Sequence, residues 1–151
     1  MNKITIQHII NFKKQNVKFA TITAYDFTSA QIIDKANIPL ILVGDSASMV
    51  VYGYTTTLPV SMDEMLFTIK AVARGTKNAL VVADMPFLSY QSSIKEAISN
   101  AGRMLKEGNA GAVKLEGGEQ IQKHISSLVE SGIPVLGHVG LTPQSINQMS
   151  G

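Results

Sequence analysis

The chain has 151 residues, 45% of them hydrophobic and 16% charged, with a formal net charge of +2 and no cysteine. That is the length of one domain, enough to bury a core without disulfides, and so low a charge fraction excludes intrinsic disorder. The small, scattered net charge excludes an electrostatic nucleic-acid footprint, and no stretch approaches the roughly 18 continuous apolar residues of a membrane span.

The pattern begins with a plausible helix over residues 4–16, whose basic pair, Lys13 and Lys14, follows a short apolar run. A signal peptide would carry its positive charge before a longer one, so a cytoplasmic protein is expected. A first β-type run spans residues 18–25 (KFATITAY), and residues 26–37 fill a helical crossover to a second run at 40–45 (LILVGD). Met62, Met65, Leu66, Ile69 and Val72 then form one apolar stripe at helical spacing, opened by Ser61-x-x-Glu64 and closed by Gly75. The third run, residues 80–87 (LVVADMPF), precedes a second stripe of Ile94, Ala97, Ile98, Ala101, Met104 and Leu105. Its opening signal is Ser93-x-x-Glu96 and its closing one Gly108; both openings are capping boxes and both glycines read as C-terminal stops. Residues 112–116 (AVKLE), a helix over 120–130 stopped by Gly132, and residues 134–139 (PVLGHV) complete the series, before a turn at Leu141-Thr142-Pro143 that looks like the start of another helix. Repeated β-α-β units predict a parallel sheet with right-handed crossovers. Asn37-Ile38-Pro39 and Gly132-Ile133-Pro134 are an internal echo, each leading from helix to strand.

In such a sheet, ligands bind where the loops converge, at the C-terminal ends of the strands. The second run ends in Gly44-Asp45-Ser46 and the third carries Asp84. The fourth carries Lys114 and Glu116, two apart and so on one face, and the fifth carries His138 between two glycines. Each has a bland reading: Asp45 as a helix N-cap, Lys114 with Glu116 as an ion pair, His138 as a satisfied core histidine. Four such accidents at one end of a sheet are much less probable than one. Three carboxylates without cysteine point to a hard cation, Mg²⁺ best of all, and too little nitrogen or sulfur is present for zinc. A metal beside a lysine is equipment for holding an α-keto acid and stabilising its enolate. His124 reads as a partly buried helix residue, His8 has no partner visible in the sequence, and most of the seven methionines fall at core spacing. Gly117-Gly118 could offer backbone N–H groups to an anion, but no nucleotide-binding fingerprint accompanies it.

Six segments resemble the ketopantoate hydroxymethyltransferase (3-methyl-2-oxobutanoate hydroxymethyltransferase) family of pantothenate biosynthesis: TITAYD at 21–26, VGDS at 43–46, TLPV at 57–60, ADMPF at 83–87, VKLEGG at 113–118 and GHVGLTPQ at 137–144. They run in family order along essentially the whole chain. The resemblance implies a (β/α)₈ TIM-barrel fold, with residues 1–151 as its N-terminal portion of about five strands. It also implies a homo-oligomer and a Mg²⁺-dependent transferase that moves a hydroxymethyl group from 5,10-methylenetetrahydrofolate to 3-methyl-2-oxobutanoate, giving 2-dehydropantoate. Asp45 and Asp84 would be direct metal ligands, with Glu116 joining directly or through water. Ser46 and Lys114, beside Asp45 and Asp84, would contact the keto acid, and His138 would support catalysis nearby. The family's general base, a glutamate on a later strand, has no counterpart in these residues, so the 151-residue chain alone is expected to be inactive. Two other readings fit the length. One is a complete five-stranded flavodoxin-like binding or signalling domain. The other is a non-catalytic remnant whose open sheet edges are covered by another chain.

Overall fold

The computed structural model describes residues 3–148. The helices are α1 Ile6–Lys14, α2 Phe27–Lys35, α3 Ala47–Val50, α4 Met62–Gly75, α5 Ile94–Lys106 and α6 Gln122–Glu130. Between them run strands β1 Thr21–Thr23, β2 Leu40–Val43, β3 Leu80–Asp84, β4 Ala112–Glu116 and β5 Val135–His138. The strands pair in parallel in the order β1-β2-β3-β4-β5. Strictly sequential order is that of a barrel wall. A flavodoxin-like sheet places its first strand inside, in the order 2-1-3-4-5, so the complete flavodoxin-like alternative is overturned.

The register separates two faces. Leu40 pairs with Leu80, Leu42 with Val82, Val82 with Ala112, Asp84 with Lys114, and Glu116 with His138. Because side chains alternate along a strand, Ile41, Val43, Val81, Ala83, Val113 and Leu115 share the other face, where they pack with Met65, Ile69, Val72, Ala97, Ala101, Met104 and Leu128 of the crossover helices. Each valine, leucine, isoleucine or methionine among them contributes about 1.5–3 kcal/mol when fully buried. The first face is apolar only toward the strand starts. There Leu40, Leu80, Val82 and Ala112 form a second cluster with Leu42, Ile4, Ile6 and Ile9. The N-terminal segment and α1 thus cover that end, and Ile4 donates a backbone hydrogen bond to the Asn78 carbonyl. The strand finishes on the same face are polar.

Several local readings are corrected. Four strands are shorter than their apolar runs while β4 matches its run at Ala112–Glu116; β1 is shortened most of all, and its three residues are exposed because one edge and one face lack cover. A short helix, α3, follows β2 and has no apolar stripe to announce it. Gly75 and Gly108 do not end helices by adopting left-handed backbone. A Cβ on Gly75 would meet the Phe27 carbonyl oxygen at 2.5 Å, and one on Gly108 the Met104 carbonyl oxygen at 2.5 Å; close approach requires both. The left-handed stops are Asn16, Asn37, Asn109 and Gly132. In the Asn37 and Gly132 turns the following isoleucine N–H reaches back to the carbonyl five residues earlier, so the internal echo is one helix-ending motif used twice. The capping box of α4 is complete. In α5, Ser93 caps Glu96 N–H while the Glu96 carboxylate takes the Ser92 hydroxyl instead. His8 finds a local partner, its Nδ1 accepting from Thr5 N–H at 3.0 Å. Among the described residues no helix is long and apolar enough to cross a membrane.

Candidate active site at the strand ends

Asp84 and Glu116 are the last residues of β3 and β4, and Asp45 lies two residues beyond β2. All three are buried, at 2%, 5% and 3% exposure. Each places a carboxylate oxygen within 4.8 Å of the others. Lys114, also buried, donates to both oxygens of Asp84 at 2.7 Å and to Glu116 Oε1 at 3.1 Å. The ion pair within β4 and the reach across the sheet therefore exist together. His138 Nδ1 lies 3.2 Å from the same Glu116 oxygen. Asp45 is not an N-cap: its backbone N–H meets Asp84 Oδ2 at 3.3 Å and its carboxylate points to Gln144. Ser46 adjoins the cluster in sequence, but its hydroxyl bonds to Tyr25 at 2.8 Å.

The electrostatics follow from burial. Removal from water pushes the Asp45 carboxyl above its ordinary value, against the Gln144 hydrogen bond and the Lys114 charge. It pushes Asp84 up to about 7, with Asp45 adding to the rise and Lys114 opposing it. For Lys114, burial favours the neutral amine, but the Asp84 charge, its hydrogen bond and Glu116 outweigh that and hold the ammonium above its usual value. Three carboxylates face one ammonium, so their full ionisation would leave an excess of two negative charges in a poorly solvated place, and burial resists it by holding protons on Asp84 and Asp45. A divalent cation balances that excess, and an all-oxygen donor set suits a hard ion such as Mg²⁺. The residues fit such an ion.

Sequence reasoning assigned no role to two members of the site. Tyr90, fully buried, has its hydroxyl 2.9 Å from both the Glu116 carbonyl and Gln144 Oε1, and accepts from Glu116 N–H at 3.1 Å. Burial pushes its phenol well above the usual value, so it stays a neutral donor. Gln144, in a turn of 3-10 helix at Pro143–Ser145, is buried among the carboxylates. It is the last residue of the GHVGLTPQ segment, the one signal that could have marked it. A cavity of about 320 Å³ adjoins the cluster, lined in part by Phe87, Tyr90, Glu116 and Gln144.

Sequential parallel strands with an acidic, lysine-bearing cluster at their C-terminal ends define a (β/α)-barrel type of protein. The sequence pattern of ketopantoate hydroxymethyltransferase matches residues 3–151, and the chain belongs to that family. It is 54% identical over 151 residues to 3-methyl-2-oxobutanoate hydroxymethyltransferase of Carboxydothermus hydrogenoformans, covering all of this chain and 55% of that protein. It is 53% identical over 149 residues to the enzyme of the same name from Dehalococcoides mccartyi, covering 99% of this chain and 53% of that one. The chain thus spans about half the length of the curated relatives it matches. Among solved structures, phosphonopyruvate hydrolase complexed with oxalate and Mg²⁺ superposes with a TM-score of 0.73 at 15% identity, over 98% of this chain and 56% of that one. A 2,3-dimethylmalate lyase of the PEP mutase/isocitrate lyase superfamily gives 0.65 at 15% identity, over 95% and 54%. At such identities these likenesses establish the TIM-barrel type of fold alone.

Proposed function

We propose that the protein to which this sequence belongs transfers a hydroxymethyl group from 5,10-methylenetetrahydrofolate to 3-methyl-2-oxobutanoate, giving 2-dehydropantoate. The observation that carries this reading is the three-carboxylate cluster with Lys114 bonded to two of its members, in a chain of this family. Asp45 and Asp84 would ligate Mg²⁺ directly and Glu116 directly or through water. A bound Mg²⁺ supplies Lewis acidity that polarises the oxygens of an α-keto acid.

The chain's own residues have separate tasks. Lys114 presents a buried positive charge on the face the cluster shares, suited to an anionic carboxylate or to charge developing on the keto oxygen. Ser46 offers a hydroxyl beside Asp45, steadied by Tyr25. His138 is held by Glu116 at the cluster's margin, where it supports catalysis by binding. In the reaction a proton leaves C3 of the keto acid, a C–C bond forms to the one-carbon unit, and both C–N bonds that tie that unit to the folate break; water supplies the hydroxyl oxygen, and the C3 proton and one proton of the water end on the two folate nitrogens. The strand-end acids Asp45, Asp84 and Glu116 are all engaged in the cluster, so a further carboxylate, on a later strand as the family resemblance implies, takes the C3 proton.

The test is product formation from both substrates by the full-length protein, with and without Mg²⁺, beside the 151-residue chain. Mg²⁺-dependent 2-dehydropantoate from the full-length protein and none from the short chain is the expected result. Robust turnover by the short chain contradicts the placement of the base, and no turnover by the full-length protein contradicts the reaction.

A further inference from the structure

Each buried carboxylate in the cluster needs a donor, and the donors are unequal. Lys114 serves Asp84 with two bonds and Glu116 Oε1 with one. Asp45 Oδ2 and Glu116 Oε2 are served instead by one uncharged residue, Gln144: its Nε2 donates to Asp45 at 2.9 Å and its backbone N–H to Glu116 at 3.1 Å. The second Nε2 proton goes to the Met85 carbonyl at 2.8 Å. Oε1 lies 2.9 Å from the Tyr90 hydroxyl and 3.1 Å from Gln91 Nε2. A carboxamide has two N–H donors and two acceptor sites, and here all four are used. Turning the amide over would set its oxygen against two groups that can only accept, the Asp45 carboxylate and the Met85 carbonyl, so the orientation is fixed.

We propose that Gln144 is a positioning residue that holds the Asp45 and Glu116 carboxylates in place for a divalent cation without neutralising either. This rests on the reading that the cluster binds such a cation. A lysine or arginine at this position would hold Asp45 just as firmly but would cancel charge the cation needs. A neutral carboxamide orients the oxygen and leaves its charge intact, as hydrogen-bonding partners behind metal ligands generally do. Tyr90 acts one step further back, orienting the Gln144 amide through Oε1.

The test is Mn²⁺ alone, titrated into the purified protein by calorimetry and followed by its electron paramagnetic resonance spectrum. Gln144→Met, of similar length and with no donor, is expected to weaken Mn²⁺ binding by about 10- to 100-fold and to change the spectrum of the ion that still binds. Tyr90→Phe is expected to weaken it less, and to add less on top of Gln144→Met than it does alone, because the part it exerts through the Gln144 amide is then already lost while its contacts with the Glu116 backbone remain its own. A structural effect alone would leave the spectrum unchanged and make the two losses multiply. Should Gln144→Met not fold, Tyr90→Phe carries the test by itself, with its weaker affinity and altered spectrum. Unchanged affinity and spectrum in the folded variants overturns the role of Gln144 while leaving the functional reading intact. A wild-type protein that binds no Mn²⁺ overturns both.

Discussion

Lys114 and Asp84, paired across neighbouring strands, form a two-pronged ion pair in which one ammonium meets both carboxylate oxygens at 2.7 Å. Each residue alone would be an expensive thing to bury. Together they anchor the polar end of a face whose other end is entirely apolar.

Lys114→Met removes the ammonium that contacts two of the three carboxylates, Asp84 and Glu116. Breaking a buried pair leaves an uncompensated charge and typically costs about 3–5 kcal/mol. The expected outcome in metal-free buffer is a loss of that order in chemical denaturation. Adding Asp84→Asn is expected to recover part of it, since the orphaned charge goes with the pair. Strict additivity would contradict the coupling.

The cluster carries a pH signature with a definite sign. The Asp84 carboxyl sits at about 7 in the fold, above its ordinary 3.8, chiefly through burial. A raised folded value means the folded chain holds the extra proton, so without metal this group's stabilisation is fully present below about 4. It is lost as pH rises through about 7. A divalent cation must displace that proton, so Mg²⁺ affinity is expected to rise with pH up to about 7 and then level off. Calorimetry in buffers of different ionisation enthalpy measures both the trend and the protons released. A flat profile between pH 5.5 and 8 would contradict it.

At the opposite end of the sheet, Asp34 fastens α2 to the start of β3. Its buried carboxylate accepts from the backbone N–H of Lys77, Asn78 and Ala79 and from the Asn78 amide. Burial alone would raise its pKa, but those four donors outweigh it and hold the group below 3.8. The sign is therefore opposite to that of Asp84: the stabilisation is present above about 4 and lost as pH falls through the depressed folded value. Asp34→Ala strands three backbone donors and is expected to cost about 3 kcal/mol at pH 7, and less below pH 3. Denaturation midpoints at the two pH values check this.

Beyond β5, Val139 and Leu141 are 72% and 80% exposed, and among the described residues β1 and β5 each pair along one edge only. Open edges with apolar neighbours favour association. The 151-residue chain is expected to sediment as an assembly, and Val139→Lys with Leu141→Lys to shift it toward monomer. A wild-type chain that stays monomeric at tens of micromolar would contradict this.

What the sequence made legible divides along physical lines. Strand and helix order could be read from the hydrophobic period, and Lys114 and Glu116 from the two-residue spacing that puts them on one face. Strand order was not legible in the hydrophobic period, since an apolar run looks the same in a barrel wall and in a flavodoxin-like sheet; the family resemblance alone pointed to the barrel wall, and the strand pairing bears it out. Asp45 could be nominated but not placed, because it lies in the loop after β2 and its contact with Gln144 spans 99 residues. Tyr90 and Gln144 escaped for a related reason. Both are neutral, neither lies on a strand or an α-helix, and their importance comes from what the fold brings to them. Gly75 and Gly108 were misread because a glycine demanded by close packing looks in sequence like one demanded by a left-handed turn.

The central claim is that Asp45, Asp84 and Glu116 gather a divalent cation on which an α-keto acid is held beside Lys114. Its most direct measurement is calorimetric titration of 3-methyl-2-oxobutanoate into the full-length protein, with Mg²⁺ and with chelator, for wild type and Asp84→Asn. Binding that requires Mg²⁺ and is lost in Asp84→Asn is the predicted result. Equal binding with and without the metal, or undiminished Mg²⁺-dependent binding in Asp84→Asn, would contradict it.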